Sequence, residues 1–204
     1  MSDLSFSPAA ERNKQPILER LLGILGEQGA ALEIASGTGQ HAEWFATALR
    51  GWTWQTSDAD ARALPSLARR VEQAGLPGLR PPVLLDVMDA PWPSQGAAFA
   101  QDFDAIYCAN MLHISPWATC TALMQGAARH LRPEGVLVTY GPYFEEGMTP
   151  APSNLAFDQS LRERDPAWGI RQLKDVEAQA RAAGLRLHAR HEMPANNLLL
   201  VFGR

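Results

Sequence analysis

Near the beginning of the chain, a short apolar run leads into a turn with two glycines: Ala30-Ala31-Leu32-Glu33-Ile34-Ala35-Ser36-Gly37-Thr38-Gly39. The apolar part has the length of a buried strand. The first turn after such a strand in a doubly wound sheet needs glycines, because the backbone turns sharply there and approaches a ligand without intervening Cβ atoms. The segment therefore predicts a strand, a ligand-binding loop, and a helix from about Gln40 to Leu49.

Strand-like and helix-like segments alternate on both sides of this loop. We expect further strands at 53–56, 82–87, 103–109 and 135–140, and further helices at 9–25, 60–74 and 117–131. Ser7 and Pro8 suit the start of the first helix, and Gly75 suits the end of the helix that closes at Ala74. The alternation indicates βαβ units and a parallel sheet.

The end of the chain departs from this alternation. Two strand-like runs, 185–192 and 197–202, are separated by only the four residues 193–196. Parallel strands need a connection of a dozen or more residues, so this pair must be antiparallel. The sequence therefore predicts an α/β fold with a seven-stranded mixed sheet, the last strand antiparallel, and helices on both faces.

The segment between the fifth and sixth predicted strands is longer than one crossover helix requires. It covers Gly141 to Gly184, contains Pro142, Pro150 and Pro152, and has helical patterns at 154–164 and 173–183. Insertions at the carboxyl edge of an open sheet lie where substrates bind. We therefore expect residues 141–171 to form a cap over a substrate pocket.

Length, charge and cysteine content narrow the class of protein. A chain of 204 residues suits one compact domain, predicted over 1–204, and its net charge of -4 offers no basic surface for nucleic acid. Met1 to Ser5 lack the basic and apolar blocks of a signal peptide, and the apolar run 198–202 is too short to span a bilayer. Only Cys108 and Cys120 are available for a disulfide. These features predict a cytoplasmic protein without membrane or nucleic-acid partners, and leave the oligomeric state open.

Glu33 decides between two cofactors for the glycine loop. With Ala42, the loop also fits the dinucleotide pattern G-x-G-x-x-A. A dinucleotide places its pyrophosphate on this loop, where the Glu33 carboxylate would repel it. S-adenosylmethionine carries a sulfonium and an ammonium instead, and acidic side chains favour both. The sequence therefore favours S-adenosylmethionine over a dinucleotide.

Two further acids follow the second and third predicted strands. Asp58 is placed to accept hydrogen bonds from ribose hydroxyls, a role that dinucleotide enzymes share. Asp86 is placed to accept from the adenine amine, with the Val87 backbone serving a ring nitrogen. Taken singly, each aspartate is as well explained as a turn former. Three acids at the ends of three adjacent strands are stronger evidence for a cofactor site than any one of them alone.

Several segments give the chain a family resemblance. Ala35 to His41, Ala109 to Trp117 and Leu131 to Gly135 resemble class I S-adenosylmethionine-dependent methyltransferases. The segments 8–14, 153–154, 166–171 and 193–197 resemble a small methyltransferase-like family described as a domain of unknown function. The resemblance covers nearly the whole chain and implies the Rossmann-like class I fold and its cofactor, but no substrate. The chain shows no departure from the family at the cofactor positions Glu33, Gly37, Gly39, Asp58 and Asp86. The other predicted cofactor residues are Arg12, Ala35, Val87 and Asn110; for Arg12, the spacing by itself favours an exposed helix face.

Catalytic and substrate candidates follow the fourth and fifth predicted strands. His113 is a candidate general base for an acceptor that arrives protonated, or else it only orients a loop. Tyr140 is a second catalytic candidate, with packing as its alternative role. Candidates for contacting the substrate lie in loops or at the ends of elements: Trp117, Tyr143, Asn154, Trp168, Arg171 and Asn196. No histidine spacing suggests a metal site, and His41 is expected on a helix surface.

These patterns predict an enzyme that transfers a methyl group from S-adenosylmethionine to an unidentified small molecule. Much of the rate in such a reaction comes from holding the acceptor in line with the methyl group. Two alternatives stay open: a module that keeps the fold but lacks turnover, and a dinucleotide-dependent oxidoreductase.

Overall fold

The computed structural model describes residues 4–204. Met1 to Asp3, which the single-domain and signal-peptide predictions include, lie outside the described residues. The described chain divides into two compact units, one ending at Tyr107 and one covering Cys108–Arg204. The division into units falls within one strand, and each unit is described by itself below.

The described part of the first unit contains three helices, three complete strands and the beginning of a fourth strand, which the division interrupts. In chain order they are α1 (Pro8–Ile24), β1 (Gly29–Ile34), α2 (Gln40–Ala48), β2 (Trp52–Asp58), α3 (Leu64–Ala74), β3 (Leu79–Leu84) and β4 (Phe103–Ala109). The Ser7 hydroxyl caps α1 by accepting from the Ala10 amide at 3.2 Å, and Gly75 ends α3 in the left-handed conformation. β1 pairs in parallel with β2, and β2 with β3.

The second unit contains the longer elements of the chain's second half. After a short 3-10 turn (Met111–His113) come α4 (Ala118–His130), β5 (Leu131–Gly141), β6 (Tyr143–Phe144), α5 (Pro152–Arg164), β7 (Arg171–Gln172), α6 (Leu173–Ala182), β8 (Arg186–Met193) and β9 (Asn197–Gly203). β9 is antiparallel to both β5 and β8, with Gly141 opposite Leu198 and Met193 opposite Asn197. Only three residues, Pro194–Asn196, separate β8 from β9, which is too few for a parallel connection, so the predicted antiparallel pairing of these two strands is confirmed.

The strand order of the main sheet is β3-β2-β1-β4-β5-β9-β8. The direction of winding reverses after β1, so right-handed connections place helices on both faces. The predicted Rossmann-like fold, a seven-stranded mixed sheet with an antiparallel last strand, is therefore confirmed.

Some predicted boundaries were wrong. β3 covers residues 79–84 and not 82–87, because Leu79 and Arg80 already pair with Trp54 and Gln55. α3 begins at Leu64 and not at Asp60, whose carboxylate instead accepts from the Arg62 amide in a turn. β5 begins four residues earlier than predicted, at Leu131.

The inserted segment after β5 has its own secondary structure. β6 and β7 pair in parallel as a separate two-stranded sheet, and α5 lies between them in sequence. α5 buries Asn154 and Leu161. Within residues 4–204, no helix combines the length and apolar character that crossing a bilayer would need. Cys108 and Cys120 are both buried, and neither forms a disulfide within residues 4–204.

Candidate functional site

The loop after β1 contains three residues in the left-handed region: Ala35, Gly37 and Gly39, with φ of 55°, 54° and 75°. The two glycines are needed for different reasons. A Cβ on Gly39 would lie 2.5 Å from Cδ1 of Leu67, so Gly39 permits close packing against α3. A Cβ on Gly37 would meet only the Ala35 carbonyl oxygen, at 4.0 Å. The backbone at Gly37 is therefore the part of the loop that a ligand can approach.

Asp58, at the end of β2, holds this loop. Its Oδ2 accepts from the Gly37 amide at 2.9 Å, and its Oδ1 accepts from the Asp60 amide at 2.9 Å. The carboxylate thus has the turn-forming role that was its alternative in the sequence. Each carboxylate oxygen has further lone pairs, so the predicted ribose contact is still compatible with these bonds.

Glu33 is buried, with 2% of its surface exposed, and its Oε2 accepts from the indole nitrogen of Trp54 at 2.6 Å. Burial raises the pKa of Glu33 to about 8; the Trp54 hydrogen bond opposes this rise and the Asp58 charge adds to it. Among residues 4–204, no lysine or arginine pairs with either acid. A cationic ligand group would supply the missing positive charge.

The start of α1 is fastened to the start of α2. Gln40 accepts from the Ser7 amide at 2.6 Å and donates to Glu11 at 2.8 Å. The Asn13 side-chain oxygen lies 2.7 Å from Nε2 of His41, whose Nδ1 lies 3.2 Å from the Tyr107 hydroxyl. The expectation that His41 lies on a helix surface was therefore wrong: its exposed fraction is 7%, and burial lowers its pKa to about 4.

The other predicted cofactor residues range from exposed Arg12 to buried Val87. Arg12 is exposed and makes no hydrogen bond or ion pair within the described part of the chain. Asp86 and Val87 lie beyond the end of β3, and Oδ1 of Asp86 accepts from the Met88 amide at 2.9 Å. Asn110 belongs to the second unit. Its backbone amide donates to the Tyr140 carbonyl at 2.8 Å, and its own φ of 60° lies in the left-handed region.

His113 is enclosed in the second unit, with 1% of its surface exposed. Its ring packs edge-on against Tyr143 with centroids 5.0 Å apart, and a Cβ on Gly141 would lie 2.5 Å from its Nε2. Neither ring nitrogen has a hydrogen-bond partner among residues 4–204. Burial, together with the positive charge of Arg171, lowers the His113 pKa to about 3. The imidazole is therefore neutral at physiological pH.

Arg171 fixes the turn that carries His113. Its guanidinium donates to the carbonyls of Leu112, Ser115 and Ala167 at 2.8, 2.6 and 2.9 Å. The same group lies 5.5 Å from the ring centre of Trp117. Trp168, another predicted substrate residue, stacks instead with Arg164, at 4.9 Å. These predicted substrate residues thus have structural contacts of their own.

The other predicted substrate residues surround one pocket of about 290 Å³ in the second unit. Tyr143, Asn154 and Asn196 all line it. The hydroxyl of Tyr143 donates to Thr139 at 3.0 Å, and burial raises the pKa of this phenol. Tyr140, the second catalytic candidate, is buried in β5 opposite Leu199.

The family described as "Protein of unknown function (DUF938)" matches residues 4–204. The chain belongs to this family. The predicted resemblance to a small methyltransferase-like family of unknown function is therefore confirmed.

Solved structures share the fold of this DUF938 chain. An O-methyltransferase family protein from Burkholderia thailandensis is 16% identical, with a TM-score of 0.78 over 96% of this chain and 57% of its own. An O-methyltransferase family 2 protein from Planctomyces limnophilus, in complex with apigenin, is 17% identical with a TM-score of 0.77, over 96% and 60%. Human N-acetylserotonin methyltransferase, in complex with SAM, is 14% identical with a TM-score of 0.74, over 96% and 52%. The chain thus spans little more than half the length of these proteins.

Sequence reasoning missed several residues that the DUF938 structure places in its polar networks. Gln40 and His41 follow the glycine loop directly, and that position was the available signal. Arg190, which lines the 290 Å³ pocket, lies on β8, and no local pattern connects it with Glu145 forty-five residues earlier. Within residues 4–204, no group of three or more His, Cys, Asp or Glu is arranged to hold a metal ion.

Proposed function

We propose that this chain is a methyltransferase that uses S-adenosylmethionine and acts on a small molecule. The observation that carries the proposal is the open backbone at Gly37 beside two acids, Glu33 and Asp58, that have no basic partner among the described residues. A pyrophosphate would place negative charge beside the Asp58 carboxylate and would oppose the ionisation of Glu33, whereas a sulfonium and an ammonium favour the ionised form of both acids. The shared fold of solved methyltransferases supports the same cofactor.

The residues present fit this cofactor, which supplies an electrophilic methyl group on a sulfonium. Gly37 offers unobstructed backbone, Asp58 offers carboxylate lone pairs for ribose hydroxyls, and Glu33 offers a buried carboxyl for a cation. Asp86 and Val87 would serve the adenine. Arg12 has a free guanidinium that suits a carboxylate.

His113 would accept the proton of the acceptor group. The imidazole is neutral at physiological pH, and both of its nitrogens lack partners within residues 4–204. An unpartnered buried imidazole is unfavourable for folding, so a functional reason for keeping it is plausible on physical grounds. Tyr140 and Tyr143 would position the acceptor, and residues 141–171 would cover it.

A second candidate is a module that binds the cofactor without turnover. The burial of His113 favours it, because a base that is 1% exposed and has a pKa of about 3 meets substrate only after movement. The dinucleotide-dependent oxidoreductase is the third candidate, and the acidic surroundings of the loop disfavour it.

Calorimetric titration with S-adenosylhomocysteine and with NAD tests the cofactor. We expect S-adenosylhomocysteine to bind with a micromolar constant, about -8 kcal/mol, and NAD not to bind. An ammonium near Glu33 would displace its proton, so binding at pH 7 should release a proton. The binding enthalpy should therefore differ between buffers of different ionisation enthalpy. No binding of S-adenosylhomocysteine by the unmutated protein would sink the proposal. Binding without methyl transfer to any of a broad set of small molecules would favour the non-catalytic module.

A further inference from the structure

The 290 Å³ pocket of the second unit lies between the segment that follows β5 and the turn that joins β8 to β9. Tyr143, Met193 and Leu198 give it apolar surface. Its volume is at the lower end of the range for small-molecule sites, about 300 to 1,000 Å³. The occupant is therefore compact, of the size of one ring with a short substituent.

The charged groups of the pocket leave a negative surplus. Arg190 donates from Nε and Nη2 to the two carboxylate oxygens of Glu145, at 2.8 and 2.7 Å. It also donates from Nη1 to Glu192, at 3.3 Å. No other charged side chain lines the pocket among residues 4–204. Two carboxylates thus face one guanidinium, and that guanidinium already pairs with both.

An unpartnered hydrogen-bond acceptor lies in the same pocket. Asn154 is 8% exposed, and its side-chain nitrogen donates to the Asn196 carbonyl at 3.1 Å. Its side-chain oxygen accepts no hydrogen bond from the described residues. Asn154 lines the pocket, so a ligand that brings an N–H or O–H gains a hydrogen bond to this oxygen.

We propose that this pocket binds a compact molecule that carries a protonated amine. The negative surplus of Glu145, Arg190 and Glu192 attracts the positive charge, and the Asn154 oxygen accepts one of the donors. An ammonium nitrogen has no lone pair, so this group serves for binding. That the same molecule is the methyl acceptor rests on the proposed function.

Three probes of one shape test the charge preference: protonated benzylamine, benzyl alcohol and benzoate. Binding to the full chain is measured by NMR titration, with and without S-adenosylhomocysteine. We expect benzylamine to bind about tenfold more tightly than benzoate, since the pocket's charge attracts one and repels the other. Glu192→Gln should reduce this preference to near unity. The double change Glu145→Gln and Glu192→Gln leaves Arg190 without a carboxylate and should reverse the preference.

Glu146→Gln is the matched control, because Glu146 pairs with Lys174 at 3.1 Å and does not line the pocket. It should keep the preference for benzylamine. Equal binding of the two charged probes to the unmutated protein, or a preference that Glu192→Gln leaves unchanged, overturns the inference. If circular dichroism shows that the double variant is unfolded, Glu192→Gln alone decides, since its side chain is 82% exposed. Failure to bind S-adenosylhomocysteine would overturn the methyltransferase proposal and leave the amine site standing.

Discussion

Glu33 and Trp54, on neighbouring strands of the first unit, share a 2.6 Å hydrogen bond in which the indole nitrogen donates to a buried carboxyl. This bond gives one oxygen of the carboxyl a hydrogen-bond donor, but the neutral indole does not balance the charge that an ionised Glu33 would carry. Burial therefore still raises the pKa of Glu33 to about 8. The candidate cofactor site thus begins with an acid that holds its proton until a cation or a higher pH removes it.

The first prediction concerns stability against pH. The Glu33 pKa is about 8 in the folded protein and 4.5 as the unperturbed value. Its contribution to the free energy of unfolding is therefore fully present below pH 4.5 and is lost as the pH rises through 8. His41 and His113 act oppositely, because their lowered pKa values remove stability as the pH falls below 6.5. Denaturant titration should therefore show greatest stability near pH 6.5, and a fall of about 1–2 kcal/mol by pH 8.

Glu33→Gln should remove the fall above pH 6.5, since glutamine is neutral and keeps an acceptor for Trp54. Glu72→Gln, at an exposed position of α3, is the control and should keep the fall. A decline that persists unchanged in Glu33→Gln would contradict the pKa assigned to this carboxyl.

The second prediction concerns the open backbone at Gly37. Gly37→Val should weaken S-adenosylhomocysteine binding by ~100-fold or more, or about 2.7 kcal/mol, because its side chain fills the space that a ligand approaches. Gly75→Val imposes similar backbone strain, with φ of 60° and no nearby atoms, at the end of α3. It should cost about 1 kcal/mol of stability and leave the affinity unchanged. Equal affinity losses in both variants would mean that strain alone explains the effect.

The third prediction separates two adjacent residues of α1. Asn13→Ala removes the partner of the buried His41 ring and should cost about 1–3 kcal/mol of stability, with a loss of cofactor affinity as α1 loosens from α2. Arg12→Ala removes an exposed side chain and should change stability by less than about 0.5 kcal/mol. If Arg12 binds the cofactor, this variant should still lose affinity. Calorimetry and thermal melts of both variants give the comparison, and unchanged affinity in Arg12→Ala would remove Arg12 from the cofactor site.

The fourth prediction concerns His113. His113→Leu should leave stability unchanged or raise it, because it replaces a buried imidazole without hydrogen bonds by an apolar group. If His113 accepts the substrate proton, turnover should fall ~100-fold or more while cofactor affinity stays near that of the unmutated protein. The pH–rate profile should show no break near 6.5, since burial lowers the pKa to about 3. Parallel losses of affinity and turnover would show that His113 is only a wall of the site.

The fifth prediction concerns Arg171. Arg171→Lys leaves most of the carbonyls of Leu112, Ser115 and Ala167 without a donor, and should cost about 2–4 kcal/mol of stability. Arg164→Lys, at the exposed end of α5, is the control and should cost less than about 1 kcal/mol. A melting temperature that Arg171→Lys leaves unchanged would instead favour the direct substrate contact predicted from the sequence.

Local chemistry along the chain was enough to predict the order of the helices and of the seven strands in the main sheet, but not the short strands β6 and β7. The glycines at 37 and 39 require a tight loop after β1, and the three residues between β8 and β9 are too few for a parallel connection. Each of these constraints acts over a few residues, and so each can be read from neighbours in sequence. The cofactor loop and its acids were predictable for the same reason, while their ligand contacts stay predictions.

Only the tertiary structure decided which side chains are buried and which partners they have. Burial raises the pKa of Glu33 against the opposing effect of its hydrogen bond from Trp54. His41 is buried between Asn13 and Tyr107, and Arg190 pairs with Glu145, forty-five residues earlier in the chain. Burial and pairing depend on chain segments that are distant in sequence, so no local pattern reveals them. The protonation states of the site and the charge of its pocket follow from that packing, because the cost of a charge depends on its surroundings.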